Sequence, residues 1–126
     1  LLSGYSTQNA KQVLSGKEID SEMEMRLLRF GAALSSGDLN GDGYSDLAVG
    51  APETNYGRGG VLLFAGDGRG ELQEWVKLLG DSGAFGSSLD ASGDWSQDGV
   101  DDLLIGAPAS GDEGNGKAYL LLGVGL

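Results

Sequence analysis

Two short acidic segments carry the residues best suited to chemistry. In the first, loop one (residues 38–46), positions 1, 3, 5 and 9 are Asp38, Asn40, Asp42 and Asp46. In the second, loop two (residues 94–102), the same positions are Asp94, Ser96, Asp98 and Asp102. Alternating oxygen side chains let a tight loop surround one centre, and the glycine at position 6 of each loop permits the sharp turn. The position 7 carbonyl, from Tyr44 or Val100, can supply a further ligand.

This donor set favours a hard cation. Oxygen ligands without nitrogen or sulfur select Ca²⁺ before Mg²⁺. Left bare, two carboxylates ~4 Å apart repel by about 4 kcal/mol at an effective dielectric constant of 20. The alternative is a plain turn, because Asn-Gly and Asp-Gly favour hairpins, but two loops in matching phase favour the metal. In loop two, Ser96 replaces an amide or acid, and Asp101 is an alternative ligand.

Two other calcium modules begin in the same way. An EF-hand requires a bidentate acid at position 12 and a flanking helix on each side. A dockerin also requires an acid there, followed by a helix. Position 12 is Val49 in loop one and Ile105 in loop two, within apolar runs that predict strands. Both modules are therefore excluded at the same position.

The acidic loops belong to a longer internal repeat. Phe30-Gly31 recurs as Phe85-Gly86, and the Gly-Ala-Pro ending at Pro52 recurs at Pro108, 56 residues later. A third element, an apolar run that ends in glycine, appears at residues 13–16, 61–66 and 119–123. A fixed period of this kind indicates a solenoid, a propeller or an array.

Short apolar runs between these motifs predict strands, because they are too brief for helices. Four strands per period match a propeller blade, so we predict an all-β fold, a partial β-propeller of four-stranded antiparallel blades. Residues 1–29 then supply the last two strands of a preceding blade; within them, residues 22–27 alternate like a strand, with a helix as the alternative. Residues 30–80 form a complete blade, and residues 81–126 form a second blade without its outer strand.

Phe-Gly, the Asp-x-Asn-x-Asp-Gly-x-x-Asp loop and Gly-Ala-Pro, in this order and spacing, resemble the FG-GAP repeats of the integrin α-subunit β-propeller. The resemblance covers nearly all of residues 30–126. It implies a seven-bladed propeller whose acidic loops are Ca²⁺-binding hairpins between the first and second strands. The resemblance also implies that the following loop residues bind Ca²⁺: Asp38, Asn40, Asp42, Tyr44 and Asp46 in loop one, and Asp94, Ser96, Asp98, Val100 and Asp102 in loop two. This chain departs from the family pattern in the number of repeats, because it contains two motifs and the family has enough to form a full ring.

Composition excludes several classes of protein. The net charge of −11, from 8 basic and 19 acidic residues, leaves no basic stripe for nucleic acid and disfavours anionic membrane surfaces. No apolar stretch is long enough for membrane insertion. The absence of cysteine and histidine removes disulfides, thiolate sites and the commonest general base. Every paired acid lies at a metal-ligand position, so we predict that the chain is not an enzyme.

The function predicted from these features is a calcium-binding extracellular module for protein recognition or adhesion. The alternatives are a lectin-type propeller, in which Tyr44, Tyr56, Trp75 and Trp95 could stack on sugar, and a non-catalytic propeller part of a secreted hydrolase. Because the calcium sites are expected to be weak, we expect the protein at the cell surface or outside the cell; the missing signal peptide is explained if the chain is a mature fragment, and a cytosolic protein is the alternative. About two and a quarter repeats cannot close a ring. We therefore expect further blades, from the same or another chain, to cover apolar strands such as residues 61–64 and 120–122.

Overall fold

The computed structural model describes residues 7–16 and 27–126, and its strands form two antiparallel sheets. The first sheet contains, in order, β1 (Ala33–Gly37), β2 (Asp46–Ala51), β3 (Gly60–Gly66) and β4 (Leu72–Leu79). The second contains β5 (Ser88–Gly93), β6 (Asp102–Ala107) and β7 (Lys117–Leu121). Short 3₁₀ helices span Thr7–Asn9 and Gly123–Gly125, and a single helical turn spans Thr54–Gly57. Within each sheet, every strand pairs with the next strand along the chain, so both sheets are meanders.

The strand β3 lies at the centre of the packing. Its apolar run has no polar face, and successive side chains of a strand point to opposite sides. Val61 and Leu63 face the second sheet, whereas Leu62 and Phe64 face a separate apolar cluster on the other side. All four are almost fully buried, as a continuous apolar run predicts. Residues 61–64 therefore already have neighbours on both faces within this chain.

The larger core lies between the two sheets. Leu63 of the first sheet packs with Leu103, Ile105 and Ala107 of β6, and Leu39 and Phe85 complete the cluster. The sheets approach most closely where β1 meets β5: the Ala91 N–H donates to Ser35 Oγ at 2.8 Å. This core fixes the second sheet against the first, and it brings the β1–β2 and β5–β6 connections to the same side of the molecule.

The outer face of the first sheet is partly covered by the described N-terminal residues. Leu27 is buried there against Val49 and Phe64, and Leu14 and Phe30 pack around it. Phe30 also meets the Phe64 ring edge to face, with centroids 6.2 Å apart.

Residues 13–16, predicted to form a strand, lie in no strand. The neighbouring Gln12 side chain contacts the first sheet: its amide nitrogen donates to the Leu72 carbonyl at 2.8 Å, and its amide oxygen accepts from the Leu72 N–H at 2.9 Å. A side chain thus satisfies the start of β4 and holds this segment against the first sheet. The other predicted strand, residues 22–27, lies outside the described residues apart from Leu27.

Within this chain, the strand β7 is buried on one face only. It is the edge strand of a three-stranded sheet, and only one of its faces meets the core. Tyr119 and Leu121 turn toward that core, while Leu120 remains 49% exposed. In the parts of the chain that the structure describes, no helix is long and apolar enough to cross a membrane.

Candidate metal centre

Loop one connects β1 to β2, and loop two connects β5 to β6. Because the two sheets pack face to face, the loops lie side by side: the Asp101 N–H donates to the Asp38 carbonyl at 2.9 Å. Each loop is a hairpin connection between the first two strands of its sheet, as the family resemblance implied. The first ligand position of each loop follows a strand end, and the last one begins the next strand.

In loop one, the carboxylates of Asp38, Asp42 and Asp46 converge, with one oxygen of each within 4.8 Å of the others. The Asp38 carboxylate organises the turn, because it accepts from the backbone N–H groups of Gly41 and Gly43 at 2.8 and 2.9 Å and from Asp42 at 3.1 Å. The left-handed φ of +76° at Gly41 and +86° at Gly43 lets the chain wrap around this carboxylate.

Loop two repeats the arrangement. Asp94, Asp98 and Asp102 place one carboxylate oxygen each within 4.8 Å of the others. Asp94 accepts from the Asp98 and Gly99 N–H groups at 3.2 and 2.9 Å. The Ser96 hydroxyl lies 3.4 Å from both Asp94 Oδ1 and Asp102 Oδ1, so it sits between two of the three carboxylates. The structure therefore gathers the predicted acidic ligands of both loops.

The last acid of each loop is held by a glycine that the sequence did not mark as part of the site. The Gly66 N–H donates to Asp46 Oδ1 at 3.0 Å, and the Gly123 N–H donates to Asp102 Oδ1 at 3.1 Å. A Cβ at Gly66 would lie 2.1 Å from the Ser45 carbonyl oxygen, so no larger residue fits. The sequence pattern could have identified these glycines, because Gly66 and Gly123 end the apolar runs that recur in each repeat.

The two clusters differ in their electrostatics. Burial raises the pKa of Asp46 above its ordinary value, and the neighbouring Asp42 carboxylate raises it further, against the lowering effect of hydrogen bonds from Gly66 and Leu39. Burial also raises the pKa of Asp102, but the hydrogen bonds from Ser96 and Gly123 outweigh it and bring the pKa below its ordinary value.

Two ion pairs within residues 7–16 and 27–126 do not involve either cluster. The ion pairs among the described residues join Lys11 to Glu71 at 3.1 Å and Arg29 to Glu53 at 3.3 Å, both away from the loops. The three carboxylates of each loop, within 4.8 Å of one another, accept instead from backbone N–H groups and, in loop two, from the Ser96 hydroxyl. A divalent cation between the oxygens would remove the repulsion.

The donors fit a calcium ion. Each loop supplies three convergent carboxylates with no nitrogen or sulfur donor, the chemistry that Ca²⁺ takes up in flexible geometry. Asn40 Oδ1 accepts from the Asp42 N–H at 3.2 Å, which turns this amide toward the interior of loop one. The N–H groups of Tyr44 and Val100 donate to Asp42 and Asp98 at 2.9 and 3.0 Å. Ligation by Asn40, Ser96 and the two carbonyls stays a prediction.

The four aromatic residues considered for sugar stacking do not share one surface. Tyr44 and Trp95 are 50% and 61% exposed and lie in the acidic loops. Tyr56 is fully exposed, but it belongs to the β2–β3 connection at the opposite end of β2. Trp75 lies on β4 and packs against the core between the sheets. These positions give no common cradle for a sugar.

Asp101 does not belong to the loop two cluster, in which it was an alternative ligand. Its carboxylate instead accepts from the Asp38 N–H at 2.9 Å, across the gap between the two loops. No local sequence pattern predicts this contact, because it depends on how the second sheet docks on the first.

A family model described as "FG-GAP repeat" matches residues 30–64 and 85–121. Both matched segments begin at a Phe-Gly pair and contain one acidic loop each. Together they cover more than half of the chain.

Curated proteins show the same similarity. The chain is 39% identical over 117 residues to integrin alpha-3 of Mus musculus, covering 87% of this chain and 10% of that protein. It is 34% identical over 134 residues to integrin alpha-5 of Xenopus laevis, covering 95% and 13%. It is also 36% identical over 138 residues to the phosphatidylinositol-glycan-specific phospholipase D of Mus musculus, covering 98% and 16%. The chain thus spans about a tenth to a sixth of the length of these relatives.

Proposed function

Because the chain belongs to the FG-GAP repeat family, we propose that it is a calcium-binding part of a β-propeller that recognises a protein ligand outside the cell. The observation that carries the proposal is the pair of carboxylate clusters, one in each repeat, at the same loop positions. The all-β partial propeller expected from the sequence is confirmed by the matched repeats and the antiparallel sheets.

In this proposal each loop binds one Ca²⁺. The ligands of loop one are Asp38, Asn40, Asp42, Asp46 and the Tyr44 carbonyl; those of loop two are Asp94, Ser96, Asp98, Asp102 and the Val100 carbonyl. The ion supplies positive charge that links the two strands flanking the loop. The chain supplies the rest: the backbone N–H groups around Asp38 and Asp94 hold the carboxylates in place before the ion arrives.

An extracellular location follows from the expected affinity. Calcium sites of extracellular modules bind at ~10⁻⁴ to 10⁻³ M, so they fill only where free Ca²⁺ is millimolar. Inside the cytosol the loops would stay empty, and their carboxylates would repel one another. The relatives named integrin alpha fit the same proposal.

We further propose that the chain recognises rather than catalyses. Similar segments occur in integrin alpha proteins and in a phospholipase D, and they make up a small share of each. A non-catalytic part shared by both kinds of protein explains that distribution. The similarity to the phospholipase supports the second candidate, a propeller part of a secreted hydrolase. A hydrolase screen with and without EDTA on this chain is expected to find no turnover, and metal-dependent turnover would overturn the proposal.

The exposed face of the second sheet supports contact with a further blade. Leu104 and Leu120 are directly paired across β6 and β7, so their side chains share the face turned away from the core. Leu120 is 49% exposed on that face. We propose that another blade, from the same or another polypeptide, packs there. Light scattering of the chain in calcium buffer tests this: a larger assembly is expected, and a monodisperse monomer of ~13 kDa with a cooperative melt would contradict it.

Thermal unfolding tests the calcium proposal. At 2 mM Ca²⁺ and a Kd of ~10⁻⁴ M, each occupied loop adds about 1.8 kcal/mol of stability by mass action. The melting temperature should therefore rise in Ca²⁺ relative to EDTA, and rise less in equimolar Mg²⁺. Asp42→Ala and Asp98→Ala should each lose about half of this rise. Asp112→Ala, which removes one exposed acid outside the loops, is the matched control and should keep it.

A glycan array separates protein recognition from the lectin alternative. The dispersed positions of Tyr44, Tyr56, Trp75 and Trp95 predict no sugar binding by this chain. Calcium-dependent binding of a defined glycan that is lost in Trp95→Ala would favour the lectin instead.

A further inference from the structure

The Asp101 side chain belongs to loop two by sequence but contacts loop one. Its carboxylate oxygen Oδ2 accepts from the Asp38 N–H at 2.9 Å, and its own N–H donates to the Asp38 carbonyl at 2.9 Å. Both backbone polar groups of Asp38 are thus held by one residue of the neighbouring repeat. The carboxylate contact is partly buried, which strengthens a charge-assisted hydrogen bond.

Asp38 is the residue on which loop one is built. Its carboxylate accepts three backbone N–H groups of the turn, from Gly41, Asp42 and Gly43. It is also one of the three acids that converge in the loop one cluster. A rotation of the Asp38 backbone would therefore move both a ligand and the scaffold of the turn.

The second sheet closes on Asp38 from both sides. A Cβ at Gly37 would lie 1.7 Å from the Ala91 carbonyl oxygen and 3.1 Å from Asp101 Oδ2. A Cβ at Gly41 would lie 3.0 Å from a Val100 methyl group. Loop one therefore has little room to shift unless the contact with Asp101 is lost.

We infer that Asp101 is a positioning residue for the calcium ion of loop one, and not a ligand of loop two. The expected effect on calcium affinity rests on the proposed calcium function. The structural basis of the inference is the double contact between Asp101 and Asp38. Partners that orient a metal ligand typically change metal affinity 10- to 100-fold when removed. Removal of the Asp101 carboxylate should weaken calcium binding at loop one by about tenfold, the lower end of that range.

The test measures each loop separately in the full chain. In the Asp98→Ala variant loop two no longer binds calcium, so calorimetry with calcium chloride measures the affinity of loop one. In the Asp42→Ala variant loop one no longer binds calcium, and calorimetry measures the affinity of loop two. In the first background, Asp101→Ala should weaken binding about tenfold. In the second background, binding should change less than twofold. Asp101→Asn keeps an acceptor oxygen and should recover part of the loop one affinity.

The control for charge is Asp112→Ala, which removes one exposed negative charge away from both loops. It should change either affinity less than twofold. An equal loss at both loops, or a loss confined to loop two, would overturn the inference. If Asp101→Ala does not fold, Asp101→Asn takes its place and should still weaken loop one severalfold.

A second readout does not depend on calcium. In EDTA, the amide hydrogens of Gly41, Asp42 and Gly43 should exchange severalfold faster in Asp101→Ala, because they donate to Asp38. The Gly99 amide, which donates to Asp94, should be unaffected. Unchanged exchange in loop one would overturn the inference even if calcium binds. Absence of calcium binding in the unsubstituted chain would refute the proposed function, and exchange would still decide the role of Asp101.

Discussion

Replacing Gly37 with alanine is expected to force the two sheets apart beside loop one. Gly37 ends β1, and a Cβ added there would lie 1.7 Å from the carbonyl oxygen of Ala91 in β5 and 2.7 Å from its carbonyl carbon. The atoms that it meets are backbone atoms, which cannot turn aside as a flexible side chain could. The two strands must therefore separate by about 1.3 Å before the contact reaches the 3.0 Å below which real Cβ contacts are essentially never seen.

That separation has an energetic cost that can be bounded. Overpacking a well-packed core typically costs 1–3 kcal/mol, and here the movement also loosens the apolar contacts between the sheets around Leu63 and Leu103. We expect a loss near the upper bound, about 3 kcal/mol. A domain of this size loses roughly 4 °C of melting temperature per kcal/mol, so the midpoint should fall by about 12 °C.

The assay is urea and thermal unfolding in EDTA, with Gly60→Ala as the matched control. Gly60 also lies in a strand, but its nearest neighbour to an added Cβ is 3.4 Å away, an ordinary contact. Gly60→Ala should change stability by less than about 0.5 kcal/mol. If Gly37→Ala is as stable as Gly60→Ala, the close approach of β1 and β5 is not a feature of the protein, and the contact of Asp101 with Asp38 falls with it.

Three further variants probe separate parts of the molecule. Asp42→Ala should weaken calcium binding at loop one more than Ser96→Ala weakens it at loop two, because a carboxylate contributes more than a neutral hydroxyl; calorimetry of each variant gives the comparison, and a reversed order would contradict it. Leu63→Ala should cost 2–5 kcal/mol in urea unfolding, since Leu63 is fully buried between the sheets, and a loss below 1 kcal/mol would refute that packing. Hydrogen bonds from Arg69 and Glu71 hold the pKa of Asp67 below its ordinary value, so its stabilising effect is present above the unfolded pKa of ~3.9 and is lost as pH falls through the folded pKa. Asp67→Asn should therefore lower the melting temperature at pH 7 but progressively less below pH 4, and an equal effect at all pH values would count against it.

Local patterns were sufficient to predict most of the blade structure. The apolar run at residues 61–64 predicts a strand and lies within β3, where it is buried on both faces. The predicted ligand spacing also brings the acids together, because loop geometry depends on neighbouring residues and glycine conformation. These features are encoded within a few residues of one another.

What the sequence could not predict depends on contacts between distant segments. Residues 13–16 resemble a strand but lie in none, and this segment is held to β4 by the Gln12 side chain. The apolar run in β7 resembles the run in β3, but its burial depends on whether another sheet packs on its outer face, where Leu120 is 49% exposed. Asp101 looks like a ligand of its own loop, and only the docking of two sheets turns it toward Asp38. In each case tertiary contact overrides the local pattern.

The number of calcium ions bound per chain tests the central claim most directly. Equilibrium dialysis against millimolar calcium, with the metal counted by elemental analysis, should give two ions per chain. Asp42→Ala and Asp98→Ala should each retain one ion, and the double variant should retain none, while all of them stay folded in calcium-free buffer. A chain that binds no calcium at millimolar concentration, or single variants that still bind two ions, would contradict the assignment of one ion to each acidic loop.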